Sequence, residues 1–147
     1  MNEKPGSEHT SVKKCQFINV QGLYHRTCKT KKGLIGDILK ETNSMFFAMS
    51  ETHLTADILS AEIQIDGYSL YRSDRKLRKC GGVGMYVRND LGSCVEGTFC
   101  NDICEGLIVK LEKIKIIVIT CYRPPTCSKE PFEELLYFLQ NQNHITL

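Results

Sequence analysis

A chain of 147 residues with 41% hydrophobic and 24% charged residues has room for one globular domain and an ordinary balance of core and surface. Its formal net charge of +2 is too small to argue for a polyanionic partner, so the placing of the charges has to carry that argument. Met1 to Lys14 is polar and lacks the apolar stretch of a signal peptide, and the longest apolar run, Ile116 to Ile119, is too short to span a bilayer. An intracellular protein, in nucleus or cytoplasm and with no membrane partner, is therefore expected. The eight cysteines then read as mostly reduced, partly buried thiols.

Residues 1–13 read as a disordered lead-in. Cys15 to Val20 is a short apolar run ending at Gln21-Gly22, which predicts a strand and a turn. From Lys32 to Thr42 the apolar Leu34, Ile35, Ile38 and Leu39 fall at helical spacing, with Gly33 and Asn43 as the ends. Met45 to Met49 is continuously apolar and suits a buried strand, which runs straight into Ser50-Glu51-Thr52-His53. A hairpin is expected next: Ile63 and Ile65 alternate with polar residues, Asp66-Gly67 turns, and Tyr68, Leu70 and Arg72 follow. Val83 to Arg88 is a further strand introduced by Gly81-Gly82. Leu107–Leu111 and Ile114–Cys121 read as an antiparallel pair joined near Glu112-Lys113, and Pro131 to Gln140 as an amphipathic helix with proline in its first turn. The order predicts a mixed α/β domain with helices covering sheet faces.

Several residue groups invite chemistry on their own. Arg72 to Lys79 holds Arg72, Arg75, Lys76, Arg78 and Lys79 with one aspartate, and Lys29, Lys31 and Lys32 form a second basic group. Either could neutralise phosphates, and either could be a solvated loop. Cys94, Cys100 and Cys104 cluster in sequence, but their spacing matches no zinc site. Gly81-Gly82-Val83-Gly84 lacks the following Lys-Ser/Thr of a phosphate loop and reads as a bend into a strand. The stripe of Phe132, Leu135, Leu136 and Leu139 reads as helix-to-sheet packing.

Four pieces at successive strand ends carry a resemblance. They are Ile18-Asn19-Val20-Gln21-Gly22-Leu23, Ser50-Glu51-Thr52-His53-Leu54, Tyr71-Arg72-Ser73-Asp74-Arg75 followed by Gly81-Gly82-Val83-Gly84, and Tyr122-Arg123-Pro124-Pro125. In this order they resemble the first half of the endonuclease/exonuclease/phosphatase family. The Ser-Glu-Thr-His-Leu and Tyr-Arg-Pro-Pro wording is most similar to the endonuclease domain of LINE-type, jockey-like non-LTR retrotransposons. The resemblance implies a partial four-layered α/β/β/α sandwich over 14–147, hydrolysis of phosphodiester bonds with Mg²⁺ (or Mn²⁺), no small-molecule cofactor, and DNA as partner. A reverse transcriptase would lie on the same polyprotein.

What the resemblance implies for single residues is specific. Glu51 matches the family's metal-binding glutamate, Asn19 its active-site asparagine and second metal contact, and Tyr122 the tyrosine that contacts the scissile phosphate. Arg72, Arg75, Lys76 and Arg123 are expected on the nucleic-acid side, while His53 is given a structural or substrate-edge role. The family also needs Gly-Asp-x-Asn and a late Ser-Asp-His. Gly36-Asp37 is followed by Ile38-Leu39, and Ser73-Asp74 by Arg75, so neither motif is here. The expectation is a truncated domain with no meaningful nuclease activity and with apolar faces left uncovered. General acid–base help alone is worth about 10²–10⁴-fold in rate. A fragment of a phosphatase or phospholipid phosphodiesterase, or a non-catalytic nucleic-acid-binding remnant, are the alternatives.

Overall fold

The computed structural model describes residues 13–27, 30–76 and 80–141. The predicted lead-in, apart from Lys13, lies outside them, as do Lys29, Arg78 and Lys79 of the basic groups.

Two sheets form the protein. The first has the order β1-β2-β4-β3, built from β1 (Cys15–Asn19), β2 (Phe46–Ser50), β3 (Tyr68–Ser73) and β4 (Val83–Arg88). Only β1 and β2 run parallel, and helix α1 (Thr30–Thr42) makes the crossover between them. The second sheet is the antiparallel meander β5 (Ser93–Cys100), β6 (Glu105–Leu111) and β7 (Ile116–Tyr122), followed by helix α2 (Glu130–Asn141).

Alternation along β2 and β4 divides the core in two. Phe47, Met49 and Tyr86 join Ile35 and Leu39 of α1 in one cluster, while Ala48, Val83, Met85 and Val87 join Leu107, Val109 and Leu111 of the second sheet in the other. Both central strands are thus buried on both faces, which is why they read as unbroken apolar runs. Tyr86 is fully buried and donates its hydroxyl to the Ile63 carbonyl at 2.6 Å; burial pushes the phenol far above its ordinary value.

The structure corrects some element boundaries. α1 begins at Thr30, so Gly33 lies inside the helix, and Leu34 faces solvent. No hairpin precedes β3. Ser60–Ile63 is a single turn of 3₁₀ helix whose Ile63 plugs the first core, and β3 pairs with β4 instead. The Asp66-Gly67 turn is real, with Gly67 at φ 83°, but it joins that turn to one strand. Strand β5 was not foreseen: Ser93-Cys94-Val95-Glu96-Gly97 has little apolar pattern and is held by pairing with β6, with a bulge between Val95 and Gly97. Cys94 and Cys100 belong to this strand, and all seven described cysteines are free. On α2, Leu139 is buried and Phe132, Leu135 and Leu136 are half-buried, whereas Tyr137 and Phe138 are exposed.

The β5–β6 pair also explains one glycine. Phe99 lies opposite Gly106, and a Cβ at Gly106 would sit 1.9 Å from the Phe99 ring. The ring covers the bare backbone of the partner strand. Gly106→Ala is expected to destabilise the fold by about 1–3 kcal/mol by displacing the ring. In a Phe99→Ala background the same change should be nearly neutral, and a denaturant-unfolding cycle over the four proteins checks this.

Candidate functional site

Three strand ends meet at one end of the sandwich. Asn19 closes β1 and is the register partner of Ser50, which closes β2; Glu51 follows at once, and Tyr122 closes β7. A closing residue of a strand has a backbone fixed by the ladder and a side chain free to project beyond it, so these positions suit convergent chemistry.

The loop that carries Glu51 is held from both sides. On one side, the N–H groups of Val20, Gly22 and Leu23 bond to the carbonyls of Ser50, Glu51 and Thr52 at 3.0, 2.7 and 2.8 Å. On the other, Thr52 and His53 donate their N–H groups to the Gly82 and Gly81 carbonyls at 3.2 and 2.8 Å. These bonds sustain a left-handed backbone at both Glu51 and His53, each at φ 53°, where a side chain is disfavoured. Lys31 fixes the neighbouring turn, its Nζ donating to the Val20 and Gln21 carbonyls at 2.7 Å each. The Asn19 Oδ1 accepts the Gln21 N–H at 3.2 Å, which leaves its amide NH₂ free to donate.

The side chains then act on each other. Hydrogen bonds from the Tyr122 hydroxyl, and next from Asn19, hold the Glu51 carboxyl below the usual carboxylate range; the adjacent His53 assists and burial opposes. Reciprocally, burial, the bond to Glu51 and its charge push the Tyr122 phenol up to about 12. Nε2 of His53 lies 3.8 Å from the Glu51 carboxylate and has no hydrogen-bond partner. The structure thus brings the side chains of Asn19, Glu51 and Tyr122 together, with His53 beside them.

The donor set fits a hard cation. Mg²⁺ takes oxygen ligands, commonly one or two carboxylates, with water or substrate completing the shell. Glu51 offers an ionised carboxylate with 19% of its side-chain surface open, beside the exposed Asn19. Among the described residues no group of three or more His, Cys, Asp or Glu side chains could hold an ion.

The basic residues have internal duties. Arg72 donates to Asp74 and to the Thr55 and Ile58 carbonyls, at 3.0 and 2.7 Å for the latter two, tying β3 to the loop beyond Glu51. Arg75 pairs with the buried Glu105, and Arg123 donates to the Cys127 carbonyl. Lys76 is exposed. Arg72, Arg75 and Lys76 still line one side of a cleft of about 840 Å³ that also contains Thr55, on the loop from Glu51, and Thr98 of β5. Sequence reasoning missed Glu105 and the service of Lys31. The one signal for Glu105 was a glutamate directly ahead of the apolar Leu107-Ile108-Val109.

No protein-family model matches the sequence, and no curated protein matches it. Solved structures do match the fold. An AP endonuclease from Archaeoglobus fulgidus superposes with a TM-score of 0.59 at 19% identity, covering 89% of this chain and 52% of that one. D. rerio TDP2 complexed with single-strand DNA product gives 0.56 at 14% identity, over 89% and 54%. A mannosyl-6-phosphatase from Bacteroides thetaiotaomicron gives 0.57 at 11%, over 88% and 60%. This chain thus spans about half the length of the solved structures it matches. Its two packed sheets and crossover helix build that half of the endonuclease/exonuclease/phosphatase fold, as the motifs at its strand ends led one to expect.

Proposed function

We propose that Glu51, Asn19 and Tyr122 are the metal- and phosphate-facing part of a Mg²⁺-dependent DNA-nicking site of LINE-type retrotransposon origin. The observation that supports it most is the bonding of a single ionised carboxylate by a strand-end tyrosine and a strand-end asparagine from two different sheets. A bound Mg²⁺ would neutralise charge building on the phosphate oxygens. The protein's own groups have separable tasks. Glu51 stays ionised and would hold the cation with Asn19. Tyr122, with its phenol pushed up to about 12, stays protonated at any working pH and serves as a hydrogen-bond donor, not as a base. Lys76, exposed on that cleft, would meet an extended polyanion there, whereas Arg72 and Arg75 are already paired with Asp74 and Glu105; the likeness to DNA enzymes and to a sugar phosphatase is equally good. A reverse transcriptase on the same polyprotein would be its working partner, inside the cell.

On this reading the 147 residues bind DNA without cutting it, because they contain neither the Gly-Asp-x-Asn nor the Ser-Asp-His motif that the resemblance requires. Supercoiled plasmid with Mg²⁺ should stay unnicked above the level of a Glu51→Ala control. Filter binding to duplex DNA should weaken steeply from about 50 to 200 mM salt. Nicking that Glu51→Ala abolishes would overturn the inactivity, and no binding at the lower salt would overturn DNA as the substrate.

A further inference from the structure

Glu105 is a carboxylate with 1% exposure, at the first position of β6 and opposite Tyr122 in the sheet. A buried carboxylate is costly unless it is paired and bonded. Its partners are all on the other sheet's side of the sandwich. One oxygen accepts the Gly82 N–H at 2.5 Å, and the other forms an ion pair with Arg75. The backbone wraps closely around it. A Cβ at Gly81 would lie 2.9 Å from both Glu105 oxygens, and one at Gly82 would lie 2.7 Å from the Thr52 hydroxyl. Both glycines have left-handed φ, 90° and 83°. The carbonyls of these two glycines are the ones that receive the Thr52 and His53 N–H groups.

We propose that Glu105 is a positioning residue: its carboxylate clasps the Gly81-Gly82 turn of the first sheet to the second sheet and so sets the Glu51 loop against Tyr122. The contacts form one chain, from β6 through Glu105 to Gly82 and Gly81, then to Thr52 and His53, and so to Glu51. Glu51 and Tyr122 come from different sheets, and nothing in either ladder fixes their separation. A bonded carboxylate spanning the gap does, with a directionality that apolar packing lacks. The proposal rests on the reading of Glu51 and Tyr122 as one site.

The test uses the full chain with Glu105→Gln, which keeps the shape and removes the charge. Amide exchange at Thr52 and His53 should quicken by about tenfold or more, while that at Met49 and Val109 stays unchanged. Mn²⁺ affinity, read by electron paramagnetic resonance, should fall by about tenfold, as for loss of a supporting partner at a metal site. Should Glu105→Gln fail to fold, Arg75→Lys replaces it, with the same local pattern expected. Uniform acceleration of all four amides, or none at Thr52 and His53, would overturn the clasp. If the parent chain holds Mn²⁺ no more tightly than Glu51→Ala, the metal reading falls, and the exchange pattern still decides the role of Glu105.

Discussion

Glu51→Gln is expected to weaken Mn²⁺ or Mg²⁺ binding on the order of 100-fold, about 2.7 kcal/mol, while leaving the fold intact. The substitution is isosteric, so the loop bonds from Val20, Gly22, Leu23, Gly81 and Gly82 are untouched, all of them being backbone bonds. What goes is the one ionised oxygen donor among the three converging side chains. The amide that replaces it has no net charge to offset the dehydration of a hard cation. Titration by isothermal calorimetry, or by Mn²⁺ resonance, measures the change. Equal affinity in the two proteins would remove Glu51 from any metal site.

The same carboxyl has a pH consequence. Its folded value lies below the unfolded one, so the stability it lends is present above the ordinary carboxylate range and is lost as pH falls through the folded value. Parent and Glu51→Gln should therefore converge in stability at the acid end. Cation binding by the parent should persist as pH drops to the ordinary carboxylate range, because protons compete with the cation only below it.

Gly82→Ala should cost about 2–5 kcal/mol, the sum of a left-handed backbone made unfavourable and an overpacked contact. The φ of 83° supplies the first part, and the 2.7 Å approach to the Thr52 hydroxyl the second. Thr52 is fully buried, so its side chain has nowhere to swing. Against a typical stability of about 5–15 kcal/mol this is a large share. Thermal unfolding followed by circular dichroism should show a midpoint lower by roughly 5–20 °C. A shift within about 1 °C would mean that the turn relaxes freely and does not hold the Glu51 loop.

Much of this architecture is written locally. β2 and β4 are legible because burial on both faces leaves their residues apolar or small, Arg88 at the end of β4 apart. The turn at Asp66-Gly67 is legible because glycine there needs a left-handed φ. β5 is not, because its residues alternate weakly and its strandhood comes from the ladder with β6. The Ile63–Ile65 alternation misleads for a related reason: Ile63 is buried as a plug beneath Tyr86, not as one face of a strand. Asn19, Glu51 and Tyr122 stand out in the sequence because each lies at or just past the end of a strand, within a recognisable string. Glu105 and the bonds of Arg72 to the Thr55 and Ile58 carbonyls depend on partners in other elements, and Lys31 reaches back across a turn to Val20 and Gln21, so no periodic pattern announces them.

The wiring of the sheets also sets an order of assembly. β6 and β7 are joined by the tight turn after Leu111, and β5 and β6 by the short loop before Glu105, so the second sheet closes its pairs over little chain. The parallel pairing of β1 with β2 must wait for the α1 crossover, and β2 with β4 for the whole stretch between Ser50 and Val83. Distant pairings form slowly. Tyr122 is thus delivered early on a preformed meander, and Asn19 and Glu51 arrive last, as the nascent halves dock.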